Sequence, residues 1–599
     1  MMGISTLFAV LLPLLLAPAA APGAAAPAPS TTPFEAADGR RTPRYAETVA
    51  WCESLAAATP FLEFQSFGVS PRGRRLPVVV ADLTGRYRAA DHRQRGDGVV
   101  VLIQACIHAG ESCGKDAGML LLRDLAGSRR LAGELLEKVT IVFVPIFNVD
   151  GHERFGPYGR INQNGPEEMG WRVTSRNLNL NRDYVKADTV EMRAWLALFN
   201  AWAPDFFIDI HATDGADYQY PITFKLETQG NLEPGLTSWT KAYRDGMVAA
   251  MDREGYPMAP YVGFKDWHDP RSGLRSGVMT PRYSQGYTAI RNRPGLLVET
   301  HMLKDYRTRV EATRLLLVHS LAWLNTEAAS LRAAVRKADA WTASAGFRAE
   351  PFPMRFELTD RSRKVEFRGV SYEEVLSDVT GGRYFRYSDQ PETMVLDFYD
   401  EVAPVATADL PEAYILPPEW VEVIDRLDVH GIAYRRLDRD TELEIRTWKF
   451  SDAGWQERPY EGRHPVTFAA ASLTETRVFP AGSVVVDLNQ SVAPVAAHLL
   501  DPAGPDALVR WGFFDAVFSQ VEYVESYVIE RMIPQLLADN PTWGPELEEL
   551  KAADPEFAAD PWAIRYWFYT RTPYYDDRMG VYPVGCLDDP AVVQALPLR

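Results

Sequence analysis

The chain has 599 residues, 46% of them hydrophobic and 24% charged, and its 80 Asp plus Glu against 63 Lys plus Arg give a net charge of −17. That length suggests about four domains, and the composition is ordinary for a globular protein. Internal apolar runs are too short to cross a bilayer, so collagen-like, largely disordered and polytopic membrane chains are excluded. The acidic balance argues against a phosphate-backbone ligand, which needs a concentrated basic surface, so nucleic acid is set aside as a partner. At the start of the chain, residues 1–34 carry no charged side chain. Leu7–Leu16 is an almost unbroken apolar run, followed by an Ala/Pro-rich stretch in which Ala17-Pro18-Ala19 and Ala24-Ala25-Ala26 supply small residues for cleavage. We expect a signal peptide over residues 1–29 and export to the periplasm or the medium, although Lys and Arg are missing ahead of the apolar run. No Cys follows that run, so no membrane anchor is expected after cleavage.

Beyond it, an α/β catalytic domain is expected over residues 45–340. Short apolar runs at Phe61–Phe67, Pro77–Leu83, Val99–Gln104, Val139–Phe147, Phe206–Ile210 and Leu296–Val298 alternate with helical periodicity near Ser112–Leu125, Thr189–Trp202 and Trp239–Arg253. Phe61–Phe67 and Pro77–Leu83 enclose the turn-rich Ser70-Pro71-Arg72-Gly73. They predict an antiparallel hairpin at the edge of a mixed, mostly parallel sheet sandwiched by helices. Val310, Leu317, Leu321, Leu324, Leu331 and Val335 fall on one face of a single long closing helix. The Ala, Ser, Gly and Pro around Trp341–Pro353 read as a linker. After it we expect a β-rich accessory region over 350–488, with strands at Val365–Phe367 and Ser483–Val486. A helical, aromatic-rich tail should follow over 489–599, with helices at Val492–Leu500 and Ala507–Leu537. The aromatic runs Tyr566–Tyr569 and Tyr574-Tyr575 are expected to pack against the first domain. Cys52, Cys106, Cys113 and Cys586 are too few for a disulfide scaffold, and Cys106 and Cys113 either bridge or lie buried as thiols.

The chemistry gathers at strand ends. Val99–Gln104 runs into a segment with His108, Gly110 and Glu111, where a strand stops and a helix starts, and such carboxyl ends are where open α/β sheets place ligands. A catalytic zinc site needs three protein ligands and an open position, and two His with one Glu form an established set. His211, closing the run from Phe206, is the leading third ligand; His152, His268 and His301 are substitutes. The polar segment Trp171–Tyr184 has the density of an active-site loop, with arginines able to clamp a carboxylate or stabilise an oxyanion. Glu299 ends the apolar run from Gly295, paired with a base or positioned to accept a proton.

This ordered set resembles the zinc carboxypeptidases of the carboxypeptidase A type, over roughly Ala46 to Asn325. The resemblance implies one zinc ion per chain, held by His108, Glu111 and His211. It implies that Arg172 polarises the scissile carbonyl, Asn181 and Arg182 hold the terminal carboxylate, and Glu299 is the general base. Tyr283 corresponds to a mobile tyrosine that closes over substrate, with Tyr287 as the fallback. A side chain near 289–292 is expected to touch the residue being removed, and Arg291 would favour an acidic one if it points inward, though exposure is the expected state. Two departures stand out. Asn179 occupies a position where the family commonly has Asp, and its side-chain oxygen can still accept from a ligating His. The stretch between the signal region and Tyr45 is too short for a folded inhibitory pro-segment, and the accessory region is much longer than the small β-sandwich of some relatives.

The resulting expectation is a metallocarboxypeptidase acting on peptides or proteins with a free C-terminus. The alternatives are a zinc-dependent amidase or deacylase, or a cell-wall peptide hydrolase, of the same fold, and, in another class, a non-catalytic binding protein.

Overall fold

The computed structural model describes residues 29–92, 98–213 and 215–599. Apart from Pro29, the signal-peptide expectation lies outside them, as does Asp214. The centre is built by strands rich in β-branched residues: Val99–Ala105 and Val139–Val144 are buried at every position, as strands covered on both faces are. In chain order the first ten strands are β1 Leu62–Val69, β2 Arg75–Ala81, β3 Val99–Ala105, β4 Val139–Val144, β5 Phe206–Thr213, β6 Ile222–Lys225, β7 Met258–Pro260, β8 Gly263–Asp266, β9 Asp269–Arg275 and β10 Gly295–His301. Eight of them form one sheet in the order β1-β2-β4-β3-β5-β10-β6-β7. β4, β3, β5 and β10 run parallel, while β1 with β2, β2 with β4 and β10 with β6 are antiparallel. The sheet is thus mixed and largely parallel, and its edge hairpin turns through Ser70–Arg74, where Gly73 takes φ +76°. From β3 the chain moves out to β4 on one flank and returns to β5 on the other. The ends of β3 and β5 therefore flank a topological switch point, the natural ligand crevice of such sheets.

Strand alternation divides the core. Val101 and Ile103 of β3 face helices Tyr45–Ala58, Cys113–Gly127, Pro234–Arg253 and Tyr306–Thr326. Val100 and Leu102 face helix Val190–Trp202 and, beyond it, the accessory region: they share one apolar cluster with Trp195, Tyr287, Tyr414, Val484, Leu499 and Phe514. The expected long closing helix is two, Tyr306–Thr326 and Ala328–Thr342. Glu327 leaves helical geometry between them (φ −95°, ψ 14°), and Ser330 donates to the Glu327 carbonyl. All six apolar positions on its expected face are nonetheless buried. The expected linker is a packed corner: Ser344 caps helix Ala345–Arg348, and Arg348, buried, pairs with Glu412 at 2.6 Å. Small residues there serve close packing rather than flexibility.

The accessory region adds β11 Phe352–Leu358, β12 Arg363–Leu376, β13 Arg383–Tyr399, β14 Val402–Ala408, β15 Ala413–Leu416, β16 Arg435–Arg436, β17 Thr441–Trp455, β18 Val466–Phe479, β19 Val484–Asp487 and β20 Gly585–Leu587. β12 and β13 join the β8–β9 hairpin in a four-stranded sheet, β13 lying parallel to β9. A six-stranded sheet runs β16-β19-β15-β20-β17-β18, so the last residues of the chain return to the middle of the sheet that starts at Ala413. Residues 350–488 and 489–599 are therefore interleaved.

Helix Ala493–Leu500 forms near its expected place, but Ala507–Leu537 is not one helix. The chain turns through Gly512 at φ +78°, makes a short 3-10 turn at Asp515–Phe518 and becomes α-helical only at Ser526–Asp539. The aromatic tail does not pack on the first domain: Trp567, Phe568 and Tyr569 cluster with Ile529 and Leu547 of neighbouring helices. All four cysteines are buried thiols.

Candidate metal centre and active site

His108 is placed by the turn that ends β3. Cys106 takes a left-handed φ of +57°, unusual for a side-chain-bearing residue, and Gly110 lies so close to its surroundings that a Cβ would stand 2.6 Å from both the Arg160 Cγ and the Gly170 carbonyl. Glu111 then precedes helix Cys113–Gly127, and His211 sits on β5. Among the described residues these three form the one group whose donor atoms could share a metal: all are buried, and the donors lie within 4.8 Å of one another. His108 Nδ1 is 3.1 Å from Glu111 Oε1, and His211 Nδ1 is 3.2 Å from both His108 Nδ1 and Glu111 Oε2.

The outward ring nitrogens are both engaged. His108 Nε2 donates to Asn179 Oδ1 at 3.0 Å, so the Asn accepts as expected, and His211 Nε2 donates to Asp209 Oδ2 at 2.8 Å. Holding the outer N–H of each imidazole fixes the tautomer and turns Nδ1 inward, which is how ligating histidines are oriented. Donor set, convergence and orientation fit a single zinc ion of the His₂Glu kind.

Electrostatics at the site are steep. Burial, aided by Arg172, pushes His108 down to about 4 against the pull of Glu111. Burial alone would raise the Glu111 carboxyl, yet His108 and the Arg160 guanidinium, 2.7 Å away, hold it well below the usual carboxylate range. Burial also opposes the charged form of His211, but the Asp209 carboxylate overrides it and holds this imidazole well above its ordinary value.

The remaining expected residues surround the same cavity of about 150 Å³. Glu299 lies directly opposite His211 in the parallel β5–β10 register, so both side chains rise from the same face of adjacent strands. Arg172 Nη1 is 3.4 Å from Glu111 Oε1. Asn181 accepts the Ser284 N–H at 3.1 Å, which presents its amide NH₂ as the free donor. Arg182 donates to the Asn181 carbonyl at 2.7 Å and lies 4.3 Å over the Tyr283 ring. Tyr283 immediately precedes helix Ser284–Ile290 and lines the cavity.

Other candidates fall elsewhere. Tyr287 is fully buried and hydrogen-bonded to His430, so it cannot close over a substrate. Arg291 neither enters the cavity nor stands free in solvent; it donates to Asn200, Tyr287 and the His430 carbonyl. His301 pairs with Asp217, His152 with Lys115, and His268 occupies the β8–β9 turn against Trp267. Sequence reasoning missed Asp209, whose position two residues before His211 on a strand puts both on one face. It also missed Arg160, for which the sequence holds no signal, and Gln285, a buried cavity residue whose NH₂ donates to Ser284 Oγ at 2.6 Å.

A family model described as zinc carboxypeptidase matches residues 48–230, which include His108, Glu111, Arg172, Asn181, Arg182 and His211 and end before Tyr283 and Glu299. The chain is similar to carboxypeptidase 2 of Trichophyton equinum, 23% identical over 510 residues, covering 81% of this chain and 86% of the relative. Carboxypeptidase 2 of Trichophyton rubrum is 23% identical over 505 residues with the same coverage. Among solved structures, a metallo-carboxypeptidase from Burkholderia cenocepacia aligns at 17% identity and a TM-score of 0.35 over 47% of this chain and 69% of that one. Ligand set, family match and relatives agree: the chain carries a zinc carboxypeptidase domain of the carboxypeptidase A type, with a large additional C-terminal region.

Proposed function

We propose that the protein is an exported exopeptidase that removes single C-terminal residues from peptides or proteins with a free C-terminus. The observation that carries this reading is that the His108–Glu111–His211 group, Glu299 and three donors suited to anions, Arg172, Asn181 and Arg182, line one small cavity. Relatives named carboxypeptidase 2 support it. Zinc held by the two histidines and Glu111 supplies a Lewis acid that polarises a carbonyl and lowers the pKa of water towards about 7. Glu299 accepts the proton of the attacking water and returns it to the leaving amine. Arg172 donates to the carbonyl oxygen as negative charge develops there. Asn181 and Arg182 fix the terminal carboxylate, and Tyr283 covers the bound residue. Export rests on the uncharged, apolar start of the chain.

The test is hydrolysis of a mixed peptide pool by the purified protein, read by mass spectrometry, with C-terminally amidated counterparts and a chelator control. Chelator-sensitive loss of single residues from free-acid peptides alone is expected. Internal cleavage, or equal action on amidated peptides, refutes it. N-terminal sequencing of the secreted protein tests export, and an intact Met1 in the cell fraction refutes it.

A further inference from the structure

The accessory region reaches into the catalytic loop at one point. Beyond β17 the chain reverses at Tyr460–Arg463, whose backbones exchange two hydrogen bonds of 2.8 and 3.1 Å. Its two central residues both take positive φ, Glu461 at 51° and Gly462 at 78°, the geometry of a type I′ turn. Glycine serves that geometry well; a glutamate there is held in a conformation that costs energy for a residue with a Cβ. The turn is firmly anchored. Arg463 forks onto Asp188 with contacts of 2.7 and 2.8 Å and lies 3.9 Å over the Phe513 ring, while the Tyr460 ring stacks on Trp511 at 6.0 Å and 11°.

From this fixed turn two side chains extend to residues that face the site. Glu461 Oε2 accepts the Asn179 backbone N–H at 2.7 Å, and the Tyr460 hydroxyl accepts from Arg182 Nε at 3.2 Å. Asn179 is the residue whose side chain receives the His108 Nε2 proton and also the Asn181 N–H at 2.9 Å. Arg182 is thereby held from three directions, by the Asn181 carbonyl, the Tyr283 ring and the Tyr460 hydroxyl. Packing between two regions needs none of this selectivity. Both contacts land on the segment that presents the carboxylate-binding pair and the hydrogen-bond partner of a metal ligand.

We propose that Tyr460 and Glu461 are positioning residues of the peptidase site: they hold Arg182 and Asn179 so that the guanidinium meets the substrate's terminal carboxylate in a fixed orientation. The accessory region is then a working part of the carboxylate subsite. This rests on the reading of Arg182 as the carboxylate ligand. A hydroxyl on one guanidinium N–H restrains orientation without touching substrate, so its loss weakens carboxylate binding in ground and transition states alike and appears in KM rather than in kcat.

The test uses the full zinc-loaded chain and three variants. Tyr460→Phe keeps the ring on Trp511 and removes the hydroxyl, Glu461→Ala removes the acceptor, and Glu461→Gln retains an oxygen able to accept from Asn179. KM for a free-acid peptide and the inhibition constant of 3-phenylpropanoate, a bare carboxylate probe, are measured with kcat and Tm. Tyr460→Phe and Glu461→Ala are expected to raise both constants about fivefold to tenfold, the worth of one ordinary intramolecular hydrogen bond acting at second hand, with kcat within twofold of wild type. Glu461→Gln is expected to restore them. Constants within twofold of wild type in both variants overturn the proposal, as does a fall in kcat that tracks Tm with KM unchanged. Failure of the functional reading is visible in the wild type alone, as no hydrolysis of free-acid peptides and no binding of 3-phenylpropanoate. That outcome overturns both readings, whereas a competent wild type with indifferent variants overturns the positioning alone.

Discussion

Removing the carboxylate of Asp209 should weaken zinc binding without unfolding the domain. Asp209 is wholly buried on β5: Oδ2 accepts from His211 Nε2 at 2.8 Å and Ser284 Oγ at 2.6 Å, and Oδ1 accepts from Gln104 Nε2 at 2.8 Å. In Asp209→Asn the amide oxygen can still face His211 and Ser284, which turns its NH₂ towards Gln104. The Gln104 side-chain oxygen has no hydrogen-bond partner, so rotating that amide by 180° converts a donor–donor clash into a hydrogen bond. Geometry survives and charge is lost. Losing the outer partner of a ligating histidine typically costs tenfold to a hundredfold in metal affinity, about 1.4–2.7 kcal/mol. Asp209→Asn should sit near the lower end, because His211 keeps an acceptor. Asp209→Ala should sit near the upper end, because Nε2–H and Ser284 lose their acceptor at a buried position. Competition against a chromogenic chelator at fixed pH gives the dissociation constant, and near-UV circular dichroism checks the fold. A zinc affinity within twofold of wild type in the folded Ala variant would refute the claim that Asp209 supports the metal through His211.

Three further outcomes follow from the same structure. Glu299→Gln should retain stoichiometric zinc yet lose turnover by at least about 10²-fold, the lower range for a general base; wild-type-like hydrolysis removes Glu299 from the mechanism. Asp188 joins the two regions through Arg463 and Arg426, and it also pairs with Lys186 beside it in the chain. Burial would raise its carboxyl, but these cations bring it down to about 2. A depressed folded value contributes stability that is fully present above the unfolded value near 3.8 and is lost as pH falls towards 2, about 2–3 kcal/mol at most. The stability gap between wild type and Asp188→Asn in urea should therefore narrow between pH 4 and pH 2, and a gap constant from pH 6 to pH 2 refutes the assignment. A chain ended at Arg348 removes Tyr414, Val484, Leu499 and Phe514 from the apolar cluster that they form with Trp195 and Tyr287, so it should lack a fixed near-ultraviolet spectrum; a folded, zinc-binding fragment contradicts that.

What the sequence revealed, and what it hid, follows from the range of the interactions. β3 and β4 are legible because strands covered on both faces are continuous apolar runs, and His108, Glu111 and His211 because they interrupt such runs at their carboxyl ends. Asp209 was overlooked inside the run Phe206–His211, where period-two alternation places it on the His211 face, away from the flanking Ile208 and Ile210. The break at Glu327 is hidden because the apolar face continues straight through it. Gly512 ends the expected helix from Ala507 with a positive φ that composition does not announce. Partners separated by hundreds of positions are not encoded locally at all. Glu461 meets Asn179 across 282 residues, and nothing in either neighbourhood names the other. For the same reason the boundary at 488 is not a physical division: β20, beyond it, pairs with β15 and β17, before it.

The accessory region also bears on the closing role proposed for Tyr283. The segment that carries it is held in front by Asp506, which accepts the Arg282 N–H at 2.8 Å and its guanidinium at 2.5 Å. Behind, Tyr287 is hydrogen-bonded at 2.9 Å to His430, a histidine that burial pushes down to about 3 and so keeps neutral, and whose other nitrogen meets the Val185 carbonyl at 2.8 Å. Within the turn a Cβ on Gly286 would stand 2.1 Å from the Thr280 carbonyl, leaving no slack in the backbone. With both flanks pinned by residues beyond 400 and the backbone packed to contact, the closure proposed for Tyr283 would come from rotation of its side chain off the Arg182 guanidinium, 4.3 Å away, and not from movement of its loop. On the proposed reading of Arg182 as the carboxylate ligand, substrate binding and release of that cation–π contact would be one event: the carboxylate that takes Arg182 would also free the ring to cover it.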